Sequence, residues 1–139
     1  MALVILVFGV LMNSHPLAVE FLPDAYAICR LPANEPIPAW AAGPFTSITR
    51  TSDELSIVCR QTQVPDDVKC ERDWRCLRVV GTIPFSMVGV LASLLNPLAE
   101  ADISVFTIST FDTDYVFVKE RDVKKARHAL QSAHFRQRG

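Results

Sequence analysis

The sequence predicts an α+β fold, and three observations carry that prediction. Runs such as Trp74 to Val80 and Ile103 to Phe111 have the composition of strands, whereas Val88, Leu91, Leu95 and Leu98 recur at helical spacing. A shift of sixty residues also lays Ile48–Val58 over Ile108–Val118, so that each half reads strand, connector, strand, turn, strand. In the second half the first connector is a full helix; in the first it is proline-rich, with prolines at 32, 36, 38 and 44. Two such βαββ-like units, with helices on one face of an antiparallel sheet, make an α+β architecture.

In chain order, Met1 to Met12 is almost wholly apolar. It is too short to span a bilayer and has no Lys or Arg ahead of it, so export is disfavoured. A signal, a leading strand, an apolar extension or a mis-assigned start are the readings left open for residues 1–16. Leu17–Leu22 and Tyr26–Leu31 read as a hairpin about Pro23-Asp24. The proline-rich segment leaves room for one helical turn at Ala39–Ala42, with Trp40 at the edge of the core. Phe45–Thr51 and Glu54–Cys59 follow as two strands about Ser52-Asp53. The polar stretch Gln61–Asp73 reads as the crossing between the halves, giving expected divisions at 17–68 and 69–139. Beyond it come a strand from Trp74, a helix from Pro84 to about Ala101 with a kink or break expected near Asn96 because of Pro97, and strands Ile103–Phe111 and Tyr115–Lys119. A last helix is started by Asp122 and buries Val123, Ala126, Leu130 and Ala133.

A chain of 139 residues, half of them hydrophobic and with a net charge of −1, can bury a core and offers no basic surface for nucleic acid. Its basic runs, Lys124-Lys125-Ala126-Arg127 and Arg136-Gln137-Arg138, read as the solvated face and C-terminal end of a helix. Cys29, Cys59, Cys70 and Cys76 form no C-x-x-C pair and have no histidine nearby in sequence, so no metal site is expected. Reduced buried thiols are the default, with a Cys70–Cys76 disulfide open only for a secreted chain. No nucleophile turn or Cys–His pairing is present, which argues against an enzyme. No cofactor and no membrane partner are expected, and the cytoplasm is the expected compartment.

The stretch Gly81-Thr82-Ile83-Pro84-Phe85-Ser86-Met87-Val88-Gly89 leads from strand to helix. Unpaired N–H groups at a helix start can hold a carboxylate. Ser109-Thr110-Phe111-Asp112-Thr113-Asp114 places two carboxylates in a short connection, where a cation could sit. An anion place and a cation place together are what a free amino acid requires. The plain alternatives are a helix start with no ligand and a hairpin turn that simply favours aspartate.

Arg78-Val79-Val80-Gly81, Pro97-Leu98-Ala99 and Asp102-Ile103-Ser104 leading to Ile108–Tyr115, together with Tyr26–Leu31, Ile37-Pro38-Ala39-Trp40 and Ser47–Val58, resemble ACT domains. The branch is that of small tandem ACT-domain proteins related to the cytosolic arginine sensor of the TORC1 pathway. The resemblance covers about Leu17 to His134. It implies two ferredoxin-like βαββαβ units, the first lacking a full first helix, in a regulatory, non-catalytic homodimer that senses a free amino acid at an interface between ACT units. Carried over residue by residue, Thr110, Phe111 and Asp114 match the family's S-T-F-x-x-D stretch, with Asp114 meeting the ligand's ammonium. Where the sensor has an acid before its turn, this chain has Met87-Val88-Gly89, so a guanidinium loses its partner and an apolar side chain suits Met87 better. The expected ligand-binding set is Pro84, Phe85, Met87, Gly89, Val90, Thr110, Phe111, Asp112 and Asp114. The competing reading is an interaction module that pairs subunits through its sheet without a ligand.

Overall fold

A computed structural model of the chain describes residues 17–81, 83–84 and 86–138. The apolar run Met1–Met12 and the expected site residue Phe85 lie outside the described residues. The described residues form seven strands, β1 (Ala18–Leu31), β2 (Ser47–Arg50), β3 (Leu55–Arg60), β4 (Cys70–Val79), β5 (Val105–Ser109), β6 (Asp114–Lys119) and β7 (Arg136–Arg138), with helices α1 (Val90–Glu100) and α2 (Val123–Ser132). They fall into two compact units. One is Pro23–Cys76; the other takes the chain up to Leu22 and again from Leu77. The boundary therefore passes within β1 and β4.

In Pro23–Cys76, β1 pairs antiparallel with β3 from Tyr26↔Arg60 to Leu31↔Leu55, and β3 with β2 from Ser47↔Val58 to Arg50↔Leu55. Ala27, Cys29, Leu55, Ile57, Cys59 and Val64 form the core, and Trp40 packs against it as expected. No α-helix occurs in this unit among the described residues. The proline-rich segment is held instead by side chains. Gln63 Nε2 donates to the carbonyls of Trp40 and Ala42 (3.0 and 2.7 Å), and Arg50 donates to the Ala33 carbonyl.

In the other unit, β4, α1, β5, β6, α2 and β7 follow one another as βαββαβ. Its strand order is β7-β1-β4-β6-β5. The Val80 N–H donates to the Ala18 carbonyl (2.8 Å) and Arg78 pairs with Glu20 (2.8 Å), so β1 and β4 run antiparallel. Both helices lie on one face, because Leu94 and Leu98 of α1 and Ala126 and Leu130 of α2 share a single core with Val19, Phe21, Leu77, Val79, Val116 and Val118. The α+β architecture with an antiparallel sheet is as the sequence predicts. No described helix is long and apolar enough to cross a membrane.

Four expectations are corrected. Leu17–Leu31 is one strand rather than a hairpin: β7 bonds residues 18–20 and β3 bonds 26–31, so Pro23 falls in the gap where a missing N–H costs no ladder bond. β4 begins at Cys70, not Trp74. The helix begins at Val90, not Pro84, and continues through Pro97 without a break. The basic C-terminal tail forms β7, parallel to β1, and is no extension of the last helix. That helix stops at a reversal: His134 sits at φ 68°, and the Phe135 N–H reaches back to the Leu130 carbonyl (3.0 Å). α1 ends the same way, with Asp102 at φ 60° and the Ile103 N–H on the Leu98 carbonyl (3.1 Å). In both, the residue after the left-handed position, Ile103 or Phe135, is buried in the core.

Candidate functional site

The segment after β4 is directed by glycines. Gly81 takes φ 93° as the chain leaves the strand, and the Ile83 N–H then bonds the Asp112 carbonyl (2.7 Å), fixing this loop to the β5–β6 connection. Met87 closes a turn onto the Pro84 carbonyl (2.9 Å), which consumes its amide. Gly89, at φ 79°, is the residue before α1, a conformation that glycine adopts without strain. Having no side chain, it caps nothing. The first backbone bond of the helix runs from the Ser93 N–H to the Gly89 carbonyl (2.9 Å), which leaves the Val90, Leu91 and Ala92 N–H groups without partners among the described residues. These three amides carry the positive end of the helix. The unpaired helix-start amides, expected where a helix would begin at Pro84, thus fall at Val90–Ala92, because Pro84 opens a loop rather than the helix.

Opposite them stands the β5–β6 hairpin. Ser109 and Asp114 are cross-strand partners, and the Ser109 hydroxyl donates to Asp114 Oδ1 at 2.6 Å. The two-residue loop Phe111-Asp112 has no positive φ, so the Thr110 side chain completes the turn, its Oγ1 accepting the Thr113 N–H (3.3 Å). Thr113 is buried and donates its hydroxyl to the Val79 carbonyl (3.0 Å), tying the hairpin to β4.

Between helix start and hairpin lies a cavity of about 390 Å3. Of the expected residues, Pro84, Met87, Gly89, Val90, Thr110, Phe111 and Asp114 line it; Asp112 does not. Asp112 contributes its carbonyl to Ile83 instead. The lining also includes Ile83, Leu91, Ala92, Ser109 and Thr113, which the sequence reading missed. The Ser109–Asp114 pairing was recoverable, since these residues lie one step outside Thr110 and Thr113, which flank the two-residue loop Phe111-Asp112, and antiparallel partners continue to face each other along the ladder. Leu91 and Ala92 could be found only by starting the helix at Gly89. Among the described residues Asp114 is the sole carboxylate in the lining. Among the described residues no group of His, Cys, Asp and Glu is placed to hold a metal.

Comparison with known proteins gives this geometry a context. Residues 69–132 match the family model of the ACT domain, and residues 24–67 match a model for an N-terminal domain. Human CASTOR3P is 30% identical over 101 residues, covering 63% of this chain and 62% of that protein. The human cytosolic arginine sensor for mTORC1 subunit 1 is 39% identical over 59 residues, or 42% of this chain and 18% of the sensor. The chain thus spans less than two thirds of the curated relatives it matches. The crystal structure of Atu0741 from Agrobacterium tumefaciens superposes with a TM-score of 0.84 at 39% identity, over 90% of this chain and 94% of that one. With β4, α1, β5, β6 and α2 all falling under the matched residues, residues 69–132 form an ACT domain, and the chain is an ACT-domain protein related to the cytosolic arginine sensor.

Proposed function

We propose that this protein is a non-catalytic amino-acid sensor whose ligand lies between the start of α1 and the β5–β6 hairpin. One observation carries the reading: an uncapped helix N-terminus and a lone carboxylate share one cavity. The ligand carboxylate would accept from the Val90, Leu91 and Ala92 amides, with the helix dipole in its favour. Asp114 Oδ1 is occupied by Ser109, which leaves Oδ2 for the ammonium. Met87, Val90, Leu91 and Phe111 give the side chain apolar walls, and among the described residues the lining holds no second acid for a second cation. A neutral, largely apolar side chain follows. Kinship with the arginine sensor supports the ligand class, and the lining argues against arginine itself.

The rim also bears on assembly. Phe111 is 80% exposed, and Val88, between the lining residues Met87 and Gly89, is 94% exposed. An apolar rim of this kind suits cover by a second copy, so a homodimer is part of the proposal. Residues 17–68 and 69–139 would then act as a helix-poor first half and the ligand-binding ACT half.

A thermal-shift screen of the twenty amino acids at millimolar concentration tests the reading, because a ligand selective for the folded state must raise Tm. One or a few neutral amino acids should raise it, and Asp114→Asn should remove the rise while keeping the ligand-free Tm. No shift with any of them, from a well-folded dimer by light scattering, would favour a module that pairs subunits without a ligand.

A further inference from the structure

Three of the four thiols meet in the core of Pro23–Cys76. Cys29 on β1 and Cys59 on β3 are buried in one cluster, and Cys70, the first residue of β4, packs against it. All are free thiols. The β1–β3 register sets Cys59 across from Ala27 and Cys29 across from Ile57, so those two cysteines are diagonal neighbours. Diagonal neighbours lie about 7–8 Å apart, too far for a disulfide.

Cys70 stands differently. The Arg30 N–H donates to the Lys69 carbonyl (3.0 Å), which brings Cys29 and Cys70 opposite each other at the adjoining position of the antiparallel strands. Partners at such a position have Cα atoms about 4.5 Å apart, inside the range a disulfide spans. Of the neighbouring thiols, Cys70 acts on Cys29 more strongly than Cys59 does. Cys29 and Cys70 both line an open cavity of about 250 Å3 with Arg30, Ser56 and Lys69. Cys70 is half-buried and reachable from it, whereas Cys29 is 1% exposed.

We propose that Cys29 and Cys70 close a reversible cross-strand disulfide by exchange with a low-molecular-weight disulfide that enters this cavity. The Cys70 thiolate attacks one sulfur of the small disulfide and expels the other as a thiolate, leaving a mixed disulfide on Cys70. Cys29 loses its proton to solvent and attacks Cys70 Sγ, and the second small thiolate leaves. Two protein thiols are oxidised to one disulfide, the small disulfide is reduced to two thiols, and the protons released balance those taken up. Burial, ahead of the neighbouring thiols, pushes Cys29 up to about 12. Closure is therefore slow, and the bond resists reduction because the reduced pair gains nothing from a stabilised thiolate.

The test treats the whole protein with hydroxyethyl disulfide, quenches in acid, unfolds it and counts thiols. The count should fall from the four free cysteines to two, return on treatment with dithiothreitol, and leave one cross-linked peptide pair joining Cys29 and Cys70. Cys29→Ser should stop at the mixed disulfide on Cys70, while Cys59→Ser and Cys76→Ser should still close the bond. An unchanged count, a mixed disulfide that persists in the unsubstituted protein, or a link from Cys70 to Cys59 or Cys76 overturns the proposal.

Discussion

At the scale of single residues, the hairpin under the site rests on Thr113 more than on the aspartates around it. Its hydroxyl is buried and meets the Val79 carbonyl, whereas Asp112 offers only a backbone group. Thr113→Val keeps the shape and removes the donor, leaving a carbonyl without its partner. Such a loss costs about 1–3 kcal/mol. Chemical denaturation should report a decrease of that size, and an unchanged midpoint would mean that the Val79 carbonyl finds another donor. Asp114 behaves in the opposite way. Among the described residues only Ser109 holds its side chain, so Asp114→Asn should move stability by no more than about 0.5 kcal/mol. Its effect belongs in the binding isotherm, as at least a tenfold loss of affinity for the amino acid found in the thermal screen. A variant that unfolds with no ligand present would count against the binding role of Asp114.

At the scale of elements, what was legible was what local chemistry decides. Strands β2, β3, β5 and β6 and helix α2 follow from alternation, turn residues and the Val123, Ala126, Leu130 stripe. What tertiary pairing decides was not. Pro23-Asp24 carries every local mark of a turn, yet β1 runs straight through it because different strands bond its two halves. Pro84 looks like a first helical residue, yet Gly89 starts the helix, and this moves the unpaired helix-start amides by several residues. The internal repeat was found one residue out of step. In both hairpins a threonine N–H bonds the carbonyl three residues on, Thr51 to Glu54 and Thr110 to Thr113, both at 2.9 Å, and the same hydroxyl takes the returning N–H. Pairing Thr51 with Thr110 makes the shift 59, since 110 − 51 = 59. That shift also pairs the buried runs Ile57-Val58-Cys59 and Val116-Phe117-Val118, and the 3-10 turns Gln61–Gln63 and Glu120–Asp122. The helix ends support a prediction of their own. His134 holds a left-handed conformation that costs an ordinary residue about 1 kcal/mol relative to glycine, so His134→Gly should raise stability by about that much. A loss of stability instead would show that the imidazole makes contacts outweighing the backbone strain.

At the scale of the whole molecule, three groups that burial shifts among the described residues, Tyr26, Cys29 and Cys59, are gathered in one unit. Tyr26 is raised from 10.0 to about 12, chiefly by desolvation and then by the nearby Cys76 and Asp24. Cys29 is raised from 9.0 to about 12, again chiefly by desolvation, and Cys59 moves in the same direction. All three lie within Pro23–Cys76. Each group resists ionisation more when folded than when unfolded. Its contribution is therefore complete below the unfolded value, near 9 for the thiols and 10 for the phenol, and is drawn away as pH rises toward about 12. Stability should be flat from neutral pH to about 9 and fall steeply above it. Trp40 and Trp74, the two tryptophans of the chain, both sit in this unit, so their emission follows its unfolding directly. Tyr26→Phe keeps the ring packed edge-on against Phe45 and removes the ionising hydroxyl. Its tryptophan-detected Tm, measured in steps from pH 8 to pH 12 under reducing conditions, should decline less steeply than that of the unsubstituted protein. Cys29→Ala should flatten the part of the curve that begins nearer pH 9, although its neutral-pH Tm will be lower because a buried side chain is lost. Equal slopes for all three proteins would mean that alkaline unfolding is driven by general charge repulsion rather than by these buried groups.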